Sequence, residues 1–165
     1  MVRIRFELAK KEDIKDILAI YKERCKWFRK KHIKQWNRSY YLIYYNASYL
    51  KKMMKNHLLY VVKREDEVVG TFLLKEYDEI YWKDDAPAFY LRHFASKLNC
   101  SHLGDDMLSF IENLARKKKK KYIRGEVVES NSKIQEYWFS KGFKLKERRQ
   151  QPYNLIMVEK EVEDV

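Results

Sequence analysis

Asn99-Cys100-Ser101-His102-Leu103-Gly104 runs directly into Asp105-Asp106-Met107-Leu108-Ser109-Phe110-Ile111-Glu112-Asn113-Leu114-Ala115, a loop opening onto a helix whose Met107, Leu108, Ile111 and Leu114 recur at helical spacing. A strand over residues 122–128 follows, then E-S-N at 129–131 and W-F-S-K-G-F at 138–143. The first N–H groups of a helix have no partner within it and carry the positive end of its dipole, so a loop ending on such a helix can hold a pyrophosphate. No other segment pairs a glycine at a helix start with a later Asn and Gly-Phe at set distances. The stretch points to a phosphate-bearing cofactor.

Outward from it, residues 3–8 alternate as a first strand. Residues 11–33 carry Ile14, Ile17, Leu18, Tyr21, Cys25 and Phe28 at helical spacing, with Glu12 and Asp13 in the first turn, where negative charge suits the dipole. The tyrosine-rich residues 40–54 read as a second, less regular helix. Residues 57–63 and 68–75 read as strands joined by the four-residue connection R-E-D-E, and residues 89–96 as another strand. After the helix over 104–118 come the strand 122–128, a helix over 132–140, and strands over 143–148 and 155–161. The order β α α β β β α β α β β predicts an α/β fold, a mixed sheet with helices on its faces, because the helix between two later strands makes a βαβ unit.

The chain has 165 residues, enough for one domain that buries ~68–70% of its unfolded surface. Its apolar fraction of 45% and aromatic fraction of 15% argue for a folded protein although 36% of residues are charged. Charges alternate through V-R-I-R-F-E-L-A, so no signal peptide is expected, and no apolar run approaches the ~20 residues of a membrane span; the expected location is cytoplasmic. Cys25 and Cys100 make neither a disulfide framework nor a metal set. The net charge of +12 is compatible with a solvated surface, an anionic cofactor or substrate, or nucleic acid. Its basic residues are spread along the chain, with one run at 116–121, which argues against nucleic acid.

The order of elements, and residues 99–143 above all, resembles the GCN5-related N-acetyltransferase (GNAT) superfamily. Its signature loop, Q/R-x-x-G-x-G/A, lies over residues 99–104 with Gly104 on the last position; Asn99 stands where Gln or Arg is usual and His102 where Gly is usual. The helix continuation follows the family, and Asn131 with Gly142-Phe143 eleven residues later repeats its N…G-F spacing. W-F-R-K-K-H-I-K-Q-W, Trp27 to Trp36, is similar to a segment of small bacterial members. The resemblance covers nearly the whole chain. It implies one GNAT-like domain over 1–165, with a mostly antiparallel sheet of about seven strands, helices on both faces, and a splayed parallel pair, 89–96 and 122–128, forming the cofactor cleft.

It also implies acetyl-CoA as co-substrate. Backbone groups near Phe94, Ala95 and Ser96 would hold the pantetheine and polarise the thioester carbonyl, and N–H groups of Ser101, His102, Leu103, Gly104 and Asp105 the pyrophosphate. Asn131 would contact the pantetheine arm as well as cap the helix that follows it. His102 adds a side chain where phosphate approaches closely, at a position where positive φ comes easily only to glycine. Asp105 and Asp106 suit a first helical turn as outward-pointing residues.

The family's Tyr, seven residues after the Asn, protonates the departing thiolate; here that position is Trp138, which cannot, and Tyr137 beside it is the catalytic candidate, aimed elsewhere by the ~100° turn per residue. A thiol of pKa ~8.5 costs only ~2 kcal/mol to release as thiolate at pH 7. Tyr90, Arg92, Phe94 and Ser96 share a strand face by alternation; a bulge would bring Leu91, His93 and Ala95 forward instead. Trp27, Gln35, Trp36 and Tyr90 are candidate walls of an acceptor pocket, and Arg92 suits either an acceptor's carboxylate or an acid on a neighbouring strand. Glu76, Glu79 and Glu126 are candidate bases acting through a water, surface carboxylates being the plainer reading of each. The implied function is N-acetyl transfer from acetyl-CoA to a primary amine of a small molecule or peptide by direct attack, with an acyl-CoA-binding module of little turnover as the alternative. No metal and no membrane partner is expected, and a homodimer is left open.

Overall fold

The computed structural model of the chain describes residues 3–33, 41–100, 102–150 and 154–163. Seven strands, β1 (Ile4–Leu8), β2 (Leu59–Arg64), β3 (Glu67–Lys75), β4 (Ala88–Ser96), β5 (Tyr122–Val128), β6 (Lys144–Arg149) and β7 (Leu155–Glu161), form one sheet in the order β1-β2-β3-β4-β5-β7-β6. Every neighbouring pair is antiparallel except β4 with β5. A parallel pair needs a crossover, and the helix α4 (Leu103–Lys117) supplies it. The predicted mixed sheet with helices on both faces is the observed one.

One face carries α1 (Ile14–Lys30) and α3 (Ala47–Lys55), packed through Ile17, Ile20, Tyr21 and Leu50 onto Leu59, Val61, Leu73 and Ala95. The other carries α4 and α5 (Ser132–Ser140), packed through Leu103, Met107, Ile111 and Trp138 onto Phe72, Leu74, Phe89 and Leu91. Burial of each such side chain contributes ~1.5–3 kcal/mol, so the two apolar stripes suffice to seat the helices. No helix among the described residues is long and apolar enough to cross a membrane, and both cysteines are free and buried.

Element ends depart from the sequence reading for identifiable reasons. The first helix stops at Lys30 rather than residue 33, because His32 takes φ 56° and Ile33 N–H turns back to the Phe28 carbonyl at 2.8 Å. The same αL closure, with an N–H returning to a carbonyl five residues earlier, ends α3 at His57, α4 at Lys119 and α5 at Gly142. Only the last of these has the glycine that marks such a closure in a sequence. The predicted helix over 40–54 is two: a turn α2 (Tyr41–Tyr44), then α3, restarted where extended Asn46 accepts the Tyr49 N–H at 3.1 Å. Its first residue, Tyr40, lies outside the described residues. The β2–β3 connection is a two-residue turn, Glu65-Asp66, with φ 56° and 96°, so each strand runs one residue further into the turn than R-E-D-E suggests, while β2 starts at Leu59 rather than residue 57.

Candidate active site

The parallel pair comes apart. β4 and β5 are in register only at Ala88↔Tyr122, Phe89↔Ile123 and Tyr90↔Arg124, although β4 continues to Ser96 and β5 to Val128. Beyond Tyr90 each strand keeps its outer neighbour: β4 stays on β3 to Ser96↔Gly70, and β5 on β7 to Val128↔Leu155. The backbone between them therefore faces a cleft, which opens into a cavity of about 960 Å³.

A bulge shapes the β4 wall. Thr71 opposes Ala95 and Leu73 opposes Arg92, so three steps of β4 span two of β3, and His93 takes φ 53°. The expected face of Tyr90, Arg92, Phe94 and Ser96 is thereby split. Arg92 and His93 both lie toward α1 and α3, whereas Phe94 turns to the α4–α5 side, its ring 5.2 Å from Trp138. His93 sits among Tyr21, Tyr41, Tyr45 and Tyr49. Its Nδ1 is hydrogen-bonded to the Tyr41 hydroxyl and its Nε2 to the Tyr49 hydroxyl at 3.1 Å.

Burial, aided by the charge of Arg92, pushes the His93 pKa down to about 3 from 6.5, so the ring is neutral in the folded chain. The unfolded chain binds the proton below about 6.5 and the folded chain does not, so stability is full above that value and lost as pH falls toward 3. We expect this to remove roughly 3 kcal/mol by pH 4. Urea midpoints at pH 7 and pH 4 check it, since His93→Gln removes this share of the slope.

On the α4–α5 side, His102 is the residue before α4, with φ 68° and no side-chain cap bond. A histidine thus adopts the left-handed conformation that glycine would adopt without strain. Leu103, expected among the cofactor residues, is buried in the core and does not line the cavity. At Gly104 a Cβ would stand 2.7 Å from the Tyr137 hydroxyl, which fills the space the glycine leaves. Tyr137 donates to Asp105 Oδ1 at 3.1 Å, and Lys141 Nζ lies 2.8 Å from the same oxygen. Burial first, and then Asp105, raise the Tyr137 pKa well above its ordinary value, whereas Lys141 holds the Asp105 carboxyl low. Asn131 is buried and caps α5, its Oδ1 accepting the Ile134 N–H at 3.3 Å. Trp138 is a core residue, its ring also 5.1 Å from Phe143.

On the α1 side stands a buried polar network. Glu126 follows Arg124 by two residues on β5, at the start of the splay, with only 8% of its side chain exposed. Its Oε1 lies 2.9 Å from Arg92 Nη2, and its Oε2 accepts the Trp82 indole N–H at 2.8 Å. Burial raises the Glu126 carboxyl above the ordinary 4.5 against the opposite pull of Arg92. Arg92 also reaches Asp78 Oδ1 at 3.1 Å. Burial pushes the Asp78 carboxyl up, but N–H groups of Ile80, Tyr81 and Trp82 on its Oδ2, together with Arg92, outweigh that and keep it low. Two like carboxylates beside one guanidinium thus titrate apart. Among the described residues, no group of His, Cys, Asp and Glu could hold a metal ion.

A family model described as an acetyltransferase (GNAT) domain matches residues 6–155. The chain belongs to the GNAT acetyltransferase family. None of the curated proteins searched matches its sequence, but solved structures share the fold of this GNAT domain. A GNAT-family acetyltransferase of Listeria monocytogenes 4b F2365 superposes with TM-score 0.80 at 16% identity, covering 96% of this chain and 94% of that one. The PaiA N-acetyltransferase of Thermoplasma acidophilum, solved in complex with coenzyme A, gives TM-score 0.79 at 18% identity over 96% and 99% of the two chains. YncA of Salmonella typhimurium, solved with its cofactor acetyl-CoA, gives 0.68 at 15% over 98% and 95%.

Of the residues singled out in the sequence of this GNAT domain, Trp27, Arg92, Phe94, Ala95, Ser96, His102, Gly104, Asp105, Asn131, Tyr137 and Trp138 line the cavity. Tyr90 does not: it is buried, and its hydroxyl accepts from Arg124 Nη1 at 3.0 Å. Gln35, Trp36 and Ser101 lie outside the described residues. Glu76 and Glu79 are exposed, Glu76 on Lys120 at 2.9 Å, so of the three candidate bases only Glu126 reaches the cavity, and it is no surface carboxylate. Sequence reasoning missed the tyrosine ring around His93, and also Arg24, which lines the cavity. Tyr41, Tyr45 and Tyr49 are spaced four apart, a helical signal, but their target lies 44 to 52 residues on.

Proposed function

We propose that this GNAT domain is an N-acetyltransferase that moves an acetyl group from acetyl-CoA to a primary amine of a small molecule or peptide. The observation that carries the reading is a buried carboxylate, Glu126, at the start of a splay flanked on its other side by the starts of α4 and α5. The donor set suits a CoA thioester. Backbone of Phe94, Ala95 and Ser96 along the splay would hold the pantetheine, the first N–H groups of α4 the pyrophosphate, and Lys133 and Lys141 supply positive charge on that side. Acetyl-CoA supplies an activated acyl group.

The chain's residues manage the amine's protons. A lysine-like amine costs ~4.6 kcal/mol to deprotonate at pH 7 and an α-amine ~1.4 kcal/mol. Glu126, its carboxyl raised by burial, takes that proton through a water and passes it to solvent; the freed lone pair then forms the N–C bond to the acetyl carbon as the C–S bond breaks, and the nitrogen's second proton leaves by the same carboxylate. Departure as a thiolate costs only ~2 kcal/mol, so a strong general acid is not required. We assign Tyr137, whose hydroxyl stays protonated well past neutral pH, as a hydrogen-bond donor to the departing sulfur, which then takes its proton from solvent.

The burial of Trp138 in the core favours one rival, a module that binds acyl-CoA with little turnover. A panel of primary amines with acetyl-CoA, read by free thiol and by the mass of the acetylated amine, separates the two: turnover is expected, and binding without thiol release sinks the enzyme reading.

A further inference from the structure

Among the described residues three guanidinium groups line the cavity, and two are paired with carboxylates. Arg92 is held by Asp78 and Glu126, and Arg124 by Asp84 and Glu159, each at 2.7 Å. Arg24 on α1 differs. Its Nε donates to the Ser96 carbonyl at 2.7 Å and its Nη2 to Ser96 Oγ at 3.2 Å, and among the described residues no carboxylate pairs with it. A guanidinium has five N–H donors, so this one keeps a fork free for a planar anion. The neighbouring acid, Glu23, spends its Oε1 on the Leu98 N–H at 2.7 Å. Trp27, three residues on, lies under the guanidinium at 5.7 Å and limits where it can turn. Burial lowers the Arg24 pKa against the weaker opposite pull of Glu23.

The side of the sheet decides which anion. α1 packs on the face opposite α4 and α5, and Lys133 and Lys141, the cations given above to the cofactor, lie in α5 and directly after it. Arg24 reaches the cavity from α1, as Trp27 and Phe28 do, and Glu126 and Tyr45 line the same cavity. We infer that Arg24 is the specificity residue of the acceptor site, binding a carboxylate, so that the substrate class is an amine that also carries a carboxylate and an apolar body. This rests on the acetyltransferase reading above and deepens it. The amine is drawn to Glu126, the carboxylate to Arg24 and the apolar body to the aromatic wall. The role that alternation offered to Arg92 passes to Arg24, because Arg92 already has its acids.

The test needs no turnover. Calorimetry on the CoA-saturated protein compares N-acetyl-L-phenylalanine with N-(2-phenylethyl)acetamide, which lacks only the carboxylate, in wild type, Arg24→Gln and Arg24→Lys. The acid is expected to bind wild type at least about tenfold more tightly than the amide, the worth of one charge-assisted pair. The ratio falls to near one in Arg24→Gln with the amide's affinity unmoved, and is intermediate in Arg24→Lys, which keeps the charge without the fork. Equal binding in wild type, no binding of the acid at millimolar concentration, or an unchanged ratio in Arg24→Gln overturns the assignment. So does weaker CoA binding in that variant with the ratio intact, which gives the guanidinium to the cofactor. If Arg24→Gln does not fold, the wild-type ratio and Arg24→Lys decide. Failure of CoA to bind wild type brings down the reading of the cleft, whereas CoA binding without acid preference brings down only the role of Arg24.

Discussion

Glu126→Gln is expected to slow acetyl transfer by ~10²–10⁴-fold at pH 7 while acetyl-CoA binding stays within about threefold of wild type. The carboxylate is placed by Arg92 at 2.9 Å and Trp82 at 2.8 Å, both donors, so glutamine satisfies one and turns its amide toward the other. That mismatch costs stability but does not by itself alter a pH profile. The pH profile is the readout that separates a base from a brace. Burial raises the Glu126 carboxyl, so the wild-type rate rises with pH through a value above the ordinary 4.5, and the variant loses that limb. A variant with the wild-type rate and limb would take the base away from Glu126.

The largest stability effect is expected at Arg124, whose side chain is only 3% exposed. Its Nε donates to Glu159 at 2.7 Å, its Nη1 to Asp84 at 2.7 Å and to the Tyr90 hydroxyl, and its plane lies over Trp82 at 4.4 Å. Burial opposes its charge, and these hydrogen bonds outweigh burial, so its pKa is raised. Arg124→Met keeps much of the volume but leaves Glu159, itself 10% exposed, with Lys146 at 3.7 Å as its remaining cation. Removing one partner of a buried pair costs ~3–5 kcal/mol, which lowers the melting temperature of a domain this size by roughly 10 °C. Adding Glu159→Gln should recover part of the loss, because the orphaned charge goes with it. Simple additivity in thermal unfolding would contradict the coupling.

What was legible in the sequence follows from what is local. The 3.6-residue recurrence of Ile14, Ile17, Tyr21 and Phe28 marks α1, and the loop and helix around Gly104 mark the cleft, because each is set within a few residues. Helix ends were harder: His32, His57 and Lys119 take the αL position that glycine signals, and only Gly142 announces it. The bulge at His93 has no residue signature, since its tyrosine partners sit on α2 and α3, yet it reassigns Phe94 to the opposite side. Glu126 and Arg24 were misjudged or missed for the same reason. A charged residue on a strand or helix looks solvated until its partners, Trp82 and Arg92 for one and Ser96 for the other, are brought in from 34 to 72 residues away.

The proposed chemistry requires acetyl-CoA to occupy the splay between β4 and β5. At Gly125 a Cβ would meet only the Leu91 carbonyl oxygen, 3.6 Å away across the splay, so a leucine there fits the backbone but fills the gap. Calorimetric titration of wild type and Gly125→Leu with acetyl-CoA tests it most directly. We expect one acetyl-CoA per chain in wild type and an affinity weaker by on the order of 100-fold in Gly125→Leu, about 2.7 kcal/mol. No binding to wild type at millimolar acetyl-CoA, or equal affinity in the two proteins, would contradict it.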